Sequence, residues 1–196
     1  MKKKYLLIAV ILALVLVCLA ACDGSNNTLS EISSLLKSNY SNVTINVTTE
    51  TSDVTLNGVF DLIFNGDTTT VDYSYDKLNS LSMDGNNANS FKTMVKGRAV
   101  VSGNNVTVDG ETLPLELGLN FAGLNFKQGF FTNVSTTSNS FKAKVKNPKG
   151  FTGNDDLVCT DMSVEVVFTA SSLTKITITY VSSVGADVTV AYQFAK

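Results

Sequence analysis

"MSVEVVFTASSLTKITITYVSSVGADVTVAYQFA", residues 162–195, decides the fold of this chain. Apolar and polar side chains alternate with period two in three runs, which is the pattern of strands that bury one face. The apolar positions are Met162, Val164, Val166 and Phe168, then Ile176, Ile178 and Tyr180, then Val188, Val190, Tyr192 and Phe194. Polar turns at 171–172 and 183–185 separate the runs, so the stretch predicts three consecutive antiparallel strands.

The same alternation extends upstream almost to residue 40. It recurs in 43–47, 54–64, 71–75, 91–103 and 141–145, with Phe60, Leu62 and Phe64 on one face of the second run. Gly58 within that run predicts a β-bulge. Asn65-Gly66 predicts a hairpin turn, and Asn104-Asn105 predicts a turn into "VTVDG". No alternation of strands with helices is present, so we expect an antiparallel sheet.

A short amphipathic segment precedes the strands. In "TLSEISSLLKSNY", residues 28–40, Thr28 and Glu31 have the spacing of a capping box, and apolar residues share one helical face. The segment predicts a helix over 29–39. Its apolar stripe packs on the domain or lies on a membrane surface. A polar face with one Lys and one Glu favours packing, because membrane-surface helices carry a basic belt.

One short helix cannot cover the apolar face of about nine strands, so that face must be buried by the sheet itself. We therefore predict an all-β fold with one N-terminal helix, in which an antiparallel meander curls into an open barrel or a sandwich. The single domain spans 29–196. Within it, 113–131 is irregular and strongly apolar, and "NPKGFTG", residues 147–153, predicts a turn or a single helical turn.

The start of the chain has the pattern of an export signal. Three lysines follow Met1, and Tyr5–Ala21 carry no charge. This run ends in Leu19-Ala20-Ala21-Cys22, which resembles the lipobox of bacterial lipoproteins. The resemblance implies that residues 1–21 are removed between Ala21 and Cys22, and that the Cys22 thiol receives a diacylglyceryl group. Cys18 is then lost with the signal peptide.

The lipobox resemblance predicts location and anchoring. Residues 22–28 form a short tether, and the domain lies on the extracytoplasmic face of the cell membrane, held by lipidated Cys22. Two or more acyl chains on one residue give stable anchoring, whereas one binds reversibly. The alternatives are an uncleaved anchor helix, since 17 apolar residues are at the lower limit for a span, or a secreted protein cut elsewhere.

Composition excludes several functions. Residues 22–196 contain 12 basic and 17 acidic residues, which argues against nucleic-acid binding. They contain no His, which removes Ser-His-Asp and Cys-His catalysis and His-based zinc sites. Cys159 has no partner once Cys22 is lipidated, and is interpreted as a small buried apolar residue rather than a reactive thiol. We predict no enzyme, no metal, no cofactor and a monomer.

Three charged or polar clusters have alternative interpretations. The carboxylate pairs Asp155-Asp156 and Asp109 with Glu111 lie in turns and are interpreted as solvated acids rather than a catalytic pair. "DGNNANS", residues 84–90, fails the EF-hand pattern, which leaves only a looser cation site at Asp84. The stripe Lys142, Lys144, Lys146 and Lys149 is a solvated face, a guard of an edge strand, or a surface for lipid headgroups or an anionic wall polymer.

The order of elements over 29–194 resembles that of half-barrel lipoprotein carriers of the LolA/LolB-like type, and the chain is also similar to small lipoproteins of monoderm bacteria. The carrier resemblance implies an acyl chain held inside a curved sheet. The expected lining residues are Phe60, Leu62, Phe64, Phe121, Phe126, Phe130, Tyr180 and Tyr192. We therefore predict a non-enzymatic lipoprotein that binds an apolar or amphipathic, lipid-like ligand. The alternative is a structural or protein-interaction module of the cell envelope without a pocket.

Overall fold

The computed structural model describes residues 26–65, 68–78, 92–100, 107–108, 111–112 and 121–196. Several sequence predictions fall outside these residues. They concern the signal segment 1–21 with Ala21, the lipid attachment at Cys22, the turn residues 66–67, the loop containing Asp84, the Asn104-Asn105 turn, and Asp109.

Eleven strands and three short helical segments are described. The strands are β1 (Asn42–Glu50), β2 (Thr55–Asn65), β3 (Thr68–Leu78), β4 (Lys92–Val100), β5 (Thr107–Val108), β6 (Glu111–Thr112), β7 (Phe131–Thr136), β8 (Ser140–Val145), β9 (Cys159–Thr169), β10 (Ser172–Ser182) and β11 (Asp187–Ala195). The helical segments are α1 (26–35), a 3-10 turn (Phe121–Gly123) and α2 (Pro148–Thr152).

Nine of these strands form one antiparallel sheet in the order β4-β3-β2-β1-β11-β10-β9-β8-β7, while β5 and β6 pair separately. The first and last strands lie side by side at its centre, in register from Asn42 with Ala195 to Glu50 with Asp187. The sheet is therefore two meanders joined through β1 and β11. It curls without pairing β4 to β7 in the described residues, which confirms the predicted all-β antiparallel fold with an N-terminal helix.

The alternating apolar residues form the core on the concave face of the sheet. Phe60, Ile176 and Ile178 are completely buried, and the apolar positions of β9, β10 and β11 are buried except for the half-buried Phe194. The stripe of α1 is buried with them, since Ile32 has no exposed area. The helix therefore packs on the domain, as its weakly charged polar face predicted.

The bounds of α1 differ from the predicted 29–39. Residues 26–28 are already helical, so Thr28 lies inside the helix and the predicted capping box does not start it. The helix ends at residue 35 because the Leu35 carbonyl accepts hydrogen bonds from the Ser38 amide at 3.0 Å and from the Tyr40 hydroxyl at 2.8 Å. The bond from Ser38 spans three residues, which tightens the last turn and prevents further α-helix.

The predicted bulge at Gly58 is wrong. Gly58 pairs in continuous register with Val47 on β1 and with Tyr75 on β3. A Cβ atom at this position would lie 2.7 Å from the Phe60 ring and 3.4 Å from the Tyr75 Cβ. The glycine therefore gives space to a buried aromatic ring within a regular strand, and sequence alone does not separate this role from a bulge.

Register shifts occur elsewhere in the sheet. One lies between β7 and β8, where Asn133 has φ 53°, and another lies between β9 and β10, beside Asp161 with φ 51°. Both residues tolerate the left-handed conformation better than other non-glycine residues. The strand β5 pairs with β6, with Thr107 opposite Thr112.

Candidate functional site

A cleft lies between the end of α1, the end of β2 and the 3-10 turn. Its volume is about 530 Å³, within the range of small-molecule pockets. The residues that line it are Leu36, Lys37, Ser38, Asn39, Tyr40, Phe64 and Phe121. Leu36 and the aromatic residues provide apolar surface, whereas 37–39 place polar groups at its edge.

Tyr40 fixes the helix side of the cleft. Its ring lies 4.9 Å from that of Phe194, centroid to centroid, on β11. Its hydroxyl donates to the Leu35 carbonyl and accepts from the amide of Leu173 at 3.2 Å. The buried Tyr40 thus joins the helix end to β10 and β11.

Phe121 fixes the opposite side. Its ring packs edge-on against Phe194 at 5.3 Å and against Phe64 at 6.2 Å, and lies 6.4 Å from Tyr192. The 3-10 turn holds it there, with the Leu124 amide donating to the Phe121 carbonyl at 3.1 Å. Phe121 is buried, while Phe64 is only partly buried and forms the accessible part of this wall.

The structure brings together only some of the eight predicted lining residues. Phe64 and Phe121 line the cleft, and Phe60 borders a smaller hollow of about 70 Å³ near Tyr75 and Gly58. Leu62, Tyr180 and Tyr192 are at most 2% exposed and belong to the packed core.

The remaining two predicted lining residues lie near α2. Phe126 packs with Phe131, Phe141 and Phe151 at ring separations of 5.3 to 6.0 Å. Phe130 is half-buried beside Gly150. These rings attach α2 and the segment 124–131 to the sheet and do not border the large cleft.

Sequence reasoning missed residues 36–40 as part of a site, because it extended the helix through 39. The signal was present in Ser38-Asn39, two residues that favour helix ends and turns. An aromatic residue directly after them, Tyr40, marks the point at which the chain returns to the core.

Among the described residues, the pair Asp72–Arg98 and the single residue Tyr192 have shifted pKa values. Hydrogen bonds from Arg98, at 2.5 and 2.6 Å, lower the pKa of the exposed Asp72 carboxyl. Burial raises the pKa of Tyr192 above its usual range. Neither group lies in the wall of the cleft.

The other polar candidates are ordinary surface features where they are described. Asp155 and Asp156 are exposed, and the Asp156 amide donates to the Asn154 side chain at 3.0 Å, as in a turn. Cys159 is half-buried at the start of β9. Within the described ranges, no group of three His, Cys, Asp or Glu residues is arranged to hold a metal ion. In the same ranges, no helix has the length and apolar character needed to cross a membrane.

No protein-family model matches this chain, and no curated protein matches its sequence.

Proposed function

We propose that this protein is a lipid-anchored extracytoplasmic protein that binds an amphipathic ligand in the cleft between α1 and Phe121. The anchoring half of the proposal rests on the sequence Leu19-Ala20-Ala21-Cys22, which follows a charged start and an uncharged apolar run. The binding half rests on one observation, which is the cleft of about 530 Å³ with one apolar and one polar side.

The lining of the cleft supports binding rather than catalysis. The described residues that line it carry one ammonium group, one hydroxymethyl group, one amide and one phenol, and none of these residues carries a carboxylate, thiol or imidazole. General acid–base or nucleophilic chemistry needs such groups in reach of one another. The apolar walls favour an alkyl or aromatic portion of a ligand, and Lys37 to Asn39 favour a polar end exposed to solvent.

A binding assay with a defined amphiphile tests this proposal. Residues 22–196, with Cys22→Ser, are titrated with a fluorescent C16 fatty acid and competed with unlabelled lysophospholipid. We expect saturable 1:1 binding and a loss of about tenfold in affinity for Phe64→Ser, corresponding to roughly 1.4 kcal/mol of lost contact.

Tyr75→Ser is the matched control, because Tyr75 is also a half-buried aromatic residue on the concave face but borders the smaller hollow. It should keep the wild-type affinity. Equal losses in both variants, or no saturable binding by the folded parent protein, would contradict the proposed site.

A structural or protein-interaction module is the second candidate function. The observation in its favour is the dense packing of the concave face, where Phe60, Tyr180 and Tyr192 are at most 2% exposed. A carrier with a ligand deep inside the sheet would need this face to be open. Absence of amphiphile binding together with a high melting temperature would favour this candidate.

The anchoring half has a separate test. Cys22→Ala should leave the precursor uncleaved and without lipid, whereas globomycin, which blocks cleavage but not the transfer of the diacylglyceryl group, should leave it uncleaved with lipid on Cys22. We expect a mass larger than that of the mature lipoprotein. Unchanged mass and unchanged membrane fraction after both treatments would show that Cys22 is not the anchor.

A further inference from the structure

Positive charge is concentrated in one part of the chain. Residues 117–154 contain five lysines and no acidic residue, whereas the rest of 22–196 contains seven basic and 17 acidic residues. The segment covers the 3-10 turn, the outer strands β7 and β8, and α2. The fold thus places the basic segment at one edge of the sheet in a chain that is otherwise acidic.

The strand β8 arranges the lysines in a row on the convex face. Lys142 and Lys144 are exposed and alternate with buried residues, and Lys146 follows directly in the same alternation. The Lys146 amide donates to the Phe130 carbonyl, and the Phe130 amide donates to the Lys127 carbonyl. The backbone therefore brings Lys127, which is also exposed, close to the end of this row.

Acidic residues on the neighbouring elements neutralise only part of the row. Lys142 lies 3.6 Å from Glu165 on β9. Asp161, also on β9, lies near the end of the row and forms no ion pair with it among the described residues. Lys149 donates to the Asp155 carbonyl rather than to a carboxylate. On the other side, β7 contributes only uncharged residues.

The position of β8 excludes one explanation for the lysines. Lysine on an edge strand prevents unwanted pairing. However, β8 pairs with β7 on one side and with β9 on the other, so it is not an edge strand. The edge itself is β7, which carries no lysine.

We propose that the lysine row, Lys142, Lys144 and Lys146 with Lys127, docks this edge of the sheet on an anionic membrane surface. The complementary charge is that of acidic phospholipid headgroups, which attract each nearby lysine by an amount equivalent to about a fivefold gain in affinity. The row thus sets the orientation of the domain beside its membrane. This docking surface is separate from the ligand cleft, and its contact with lipid does not depend on lipidation of Cys22.

Co-sedimentation with vesicles tests the docking. The non-lipidated chain 22–196 with Cys22→Ser contains every described element and is mixed with vesicles of phosphatidylcholine alone or with about one third phosphatidylglycerol. We expect binding only to the anionic vesicles, and loss of binding when salt is raised from about 0.05 M to 0.5 M because of screening. Lys142→Gln/Lys144→Gln/Lys146→Gln should weaken binding by on the order of 100-fold.

The opposite edge of the sheet offers a matched control. Lys92, Lys96 and Arg98 on β4 have a comparable spacing, but Asp76 lies 3.8 Å from Lys92 and Asp72 pairs with Arg98. The triple glutamine variant at these positions removes the same charge and should bind within about threefold of the parent. Circular dichroism establishes that both variants are folded.

Three results would overturn the docking proposal. They are equal losses in both triple variants, no binding of the folded parent to anionic vesicles at low salt, and binding to soluble polyphosphate without binding to vesicles. The last result would indicate a wall polymer instead of lipid. None of them bears on amphiphile binding in the cleft, which the fluorescence assay measures with the same protein.

Discussion

At the scale of single residues, Tyr40 has the largest structural role near the cleft. It lies five residues beyond the end of α1, and its ring and hydroxyl contact three separate parts of the chain, which are the last turn of the helix, β10 and β11. The cleft depends on the end of α1 staying in this position. Loss of the hydroxyl should therefore affect both stability and ligand binding.

Tyr40→Phe removes the hydroxyl while it keeps the ring. Because the buried Leu173 amide loses its acceptor and the Leu35 carbonyl loses a donor, we expect the free energy of unfolding to fall by about 1–3 kcal/mol. Urea denaturation followed by circular dichroism measures this. Tyr75→Phe, at a half-buried position, is the control, and equal effects of the two substitutions would contradict the role assigned to Tyr40.

Gly58 provides a second prediction at this scale. Gly58→Ala places a methyl group 2.7 Å from the ring of the completely buried Phe60. We expect a loss of about 1–3 kcal/mol in the free energy of unfolding, since the methyl group and the Phe60 ring cannot both keep their positions and one of them must shift. Asn57→Ala, one residue away and exposed, should change stability by less than about 0.5 kcal/mol. A neutral Gly58→Ala would mean that Phe60 adopts another rotamer without cost.

At the scale of elements, much of the architecture follows from sequence patterns. Period-two alternation predicted the strands β1 to β4 and β8 to β11, because one buried face leaves a clear signal in each. Sequence patterns gave a wrong prediction at Gly58, because a glycine in a strand is compatible with either a bulge or a closely packed ring. They also misplaced the end of α1, where the helix end is coupled to a distant contact. Ser38-Asn39 is a local signal for the end of α1, but the contact of Tyr40 with β10 has no local signature.

The cleft was less predictable than the strands. Eight aromatic and aliphatic residues were expected to line one site, but the same hydrophobicity equally suits a packed core. Only Phe64 and Phe121 border the large cleft. Which apolar residues remain accessible depends on where α1 and the 3-10 turn cover the sheet, and alternation within one strand does not encode that placement.

The register shift in β9 gives a prediction for an element. Asp161 has φ 51°, a conformation that β-branched residues strongly disfavour. Asp161→Val should therefore lower the free energy of unfolding by about 1–2 kcal/mol, whereas Asp161→Gly should leave it unchanged or raise it slightly. Thermal unfolding of the two variants, with exposed Thr160→Val as the control, separates backbone strain from loss of the carboxylate. Equal stability of the valine and glycine variants would contradict the backbone strain predicted at position 161.

At the scale of the whole molecule, the pairing of β1 with β11 determines the architecture. This pairing joins the meander that contains β1 to β4 with the meander that contains β7 to β11. It places the first and last strands side by side at the centre of the sheet. Such pairing over the full length of the chain has a high loop-closure cost and no local signature. This is the reason why the sequence predicted the strands and their meander connections but not the pairing of β1 with β11.

The pH dependence of the whole protein should show the burial of Tyr192, which lies on β11 within this central pair. Burial raises its pKa in the folded state, so the folded protein retains the proton while the unfolded chain loses it near pH 10. Stability is therefore complete below about pH 10 and falls above it, by up to about 1.4 kcal/mol per pH unit from this group. Urea denaturation between pH 8 and 11.5 measures the decline, and Tyr192→Phe should reduce it. If the stability of the parent protein and of Tyr192→Phe declines equally, groups other than Tyr192 cause the decline.

The function proposed for the molecule combines a lipid anchor with a ligand cleft, and native mass spectrometry of the mature protein, gently extracted from membranes, tests this combination most directly. We expect the covalent mass of residues 22–196 plus an acylated Cys22, and a second species heavier by one amphiphile that is released on collisional activation. Phe64→Ser should lose the second species and keep the first. A single species without bound amphiphile, in the parent protein as in Phe64→Ser, would contradict ligand binding in the cleft.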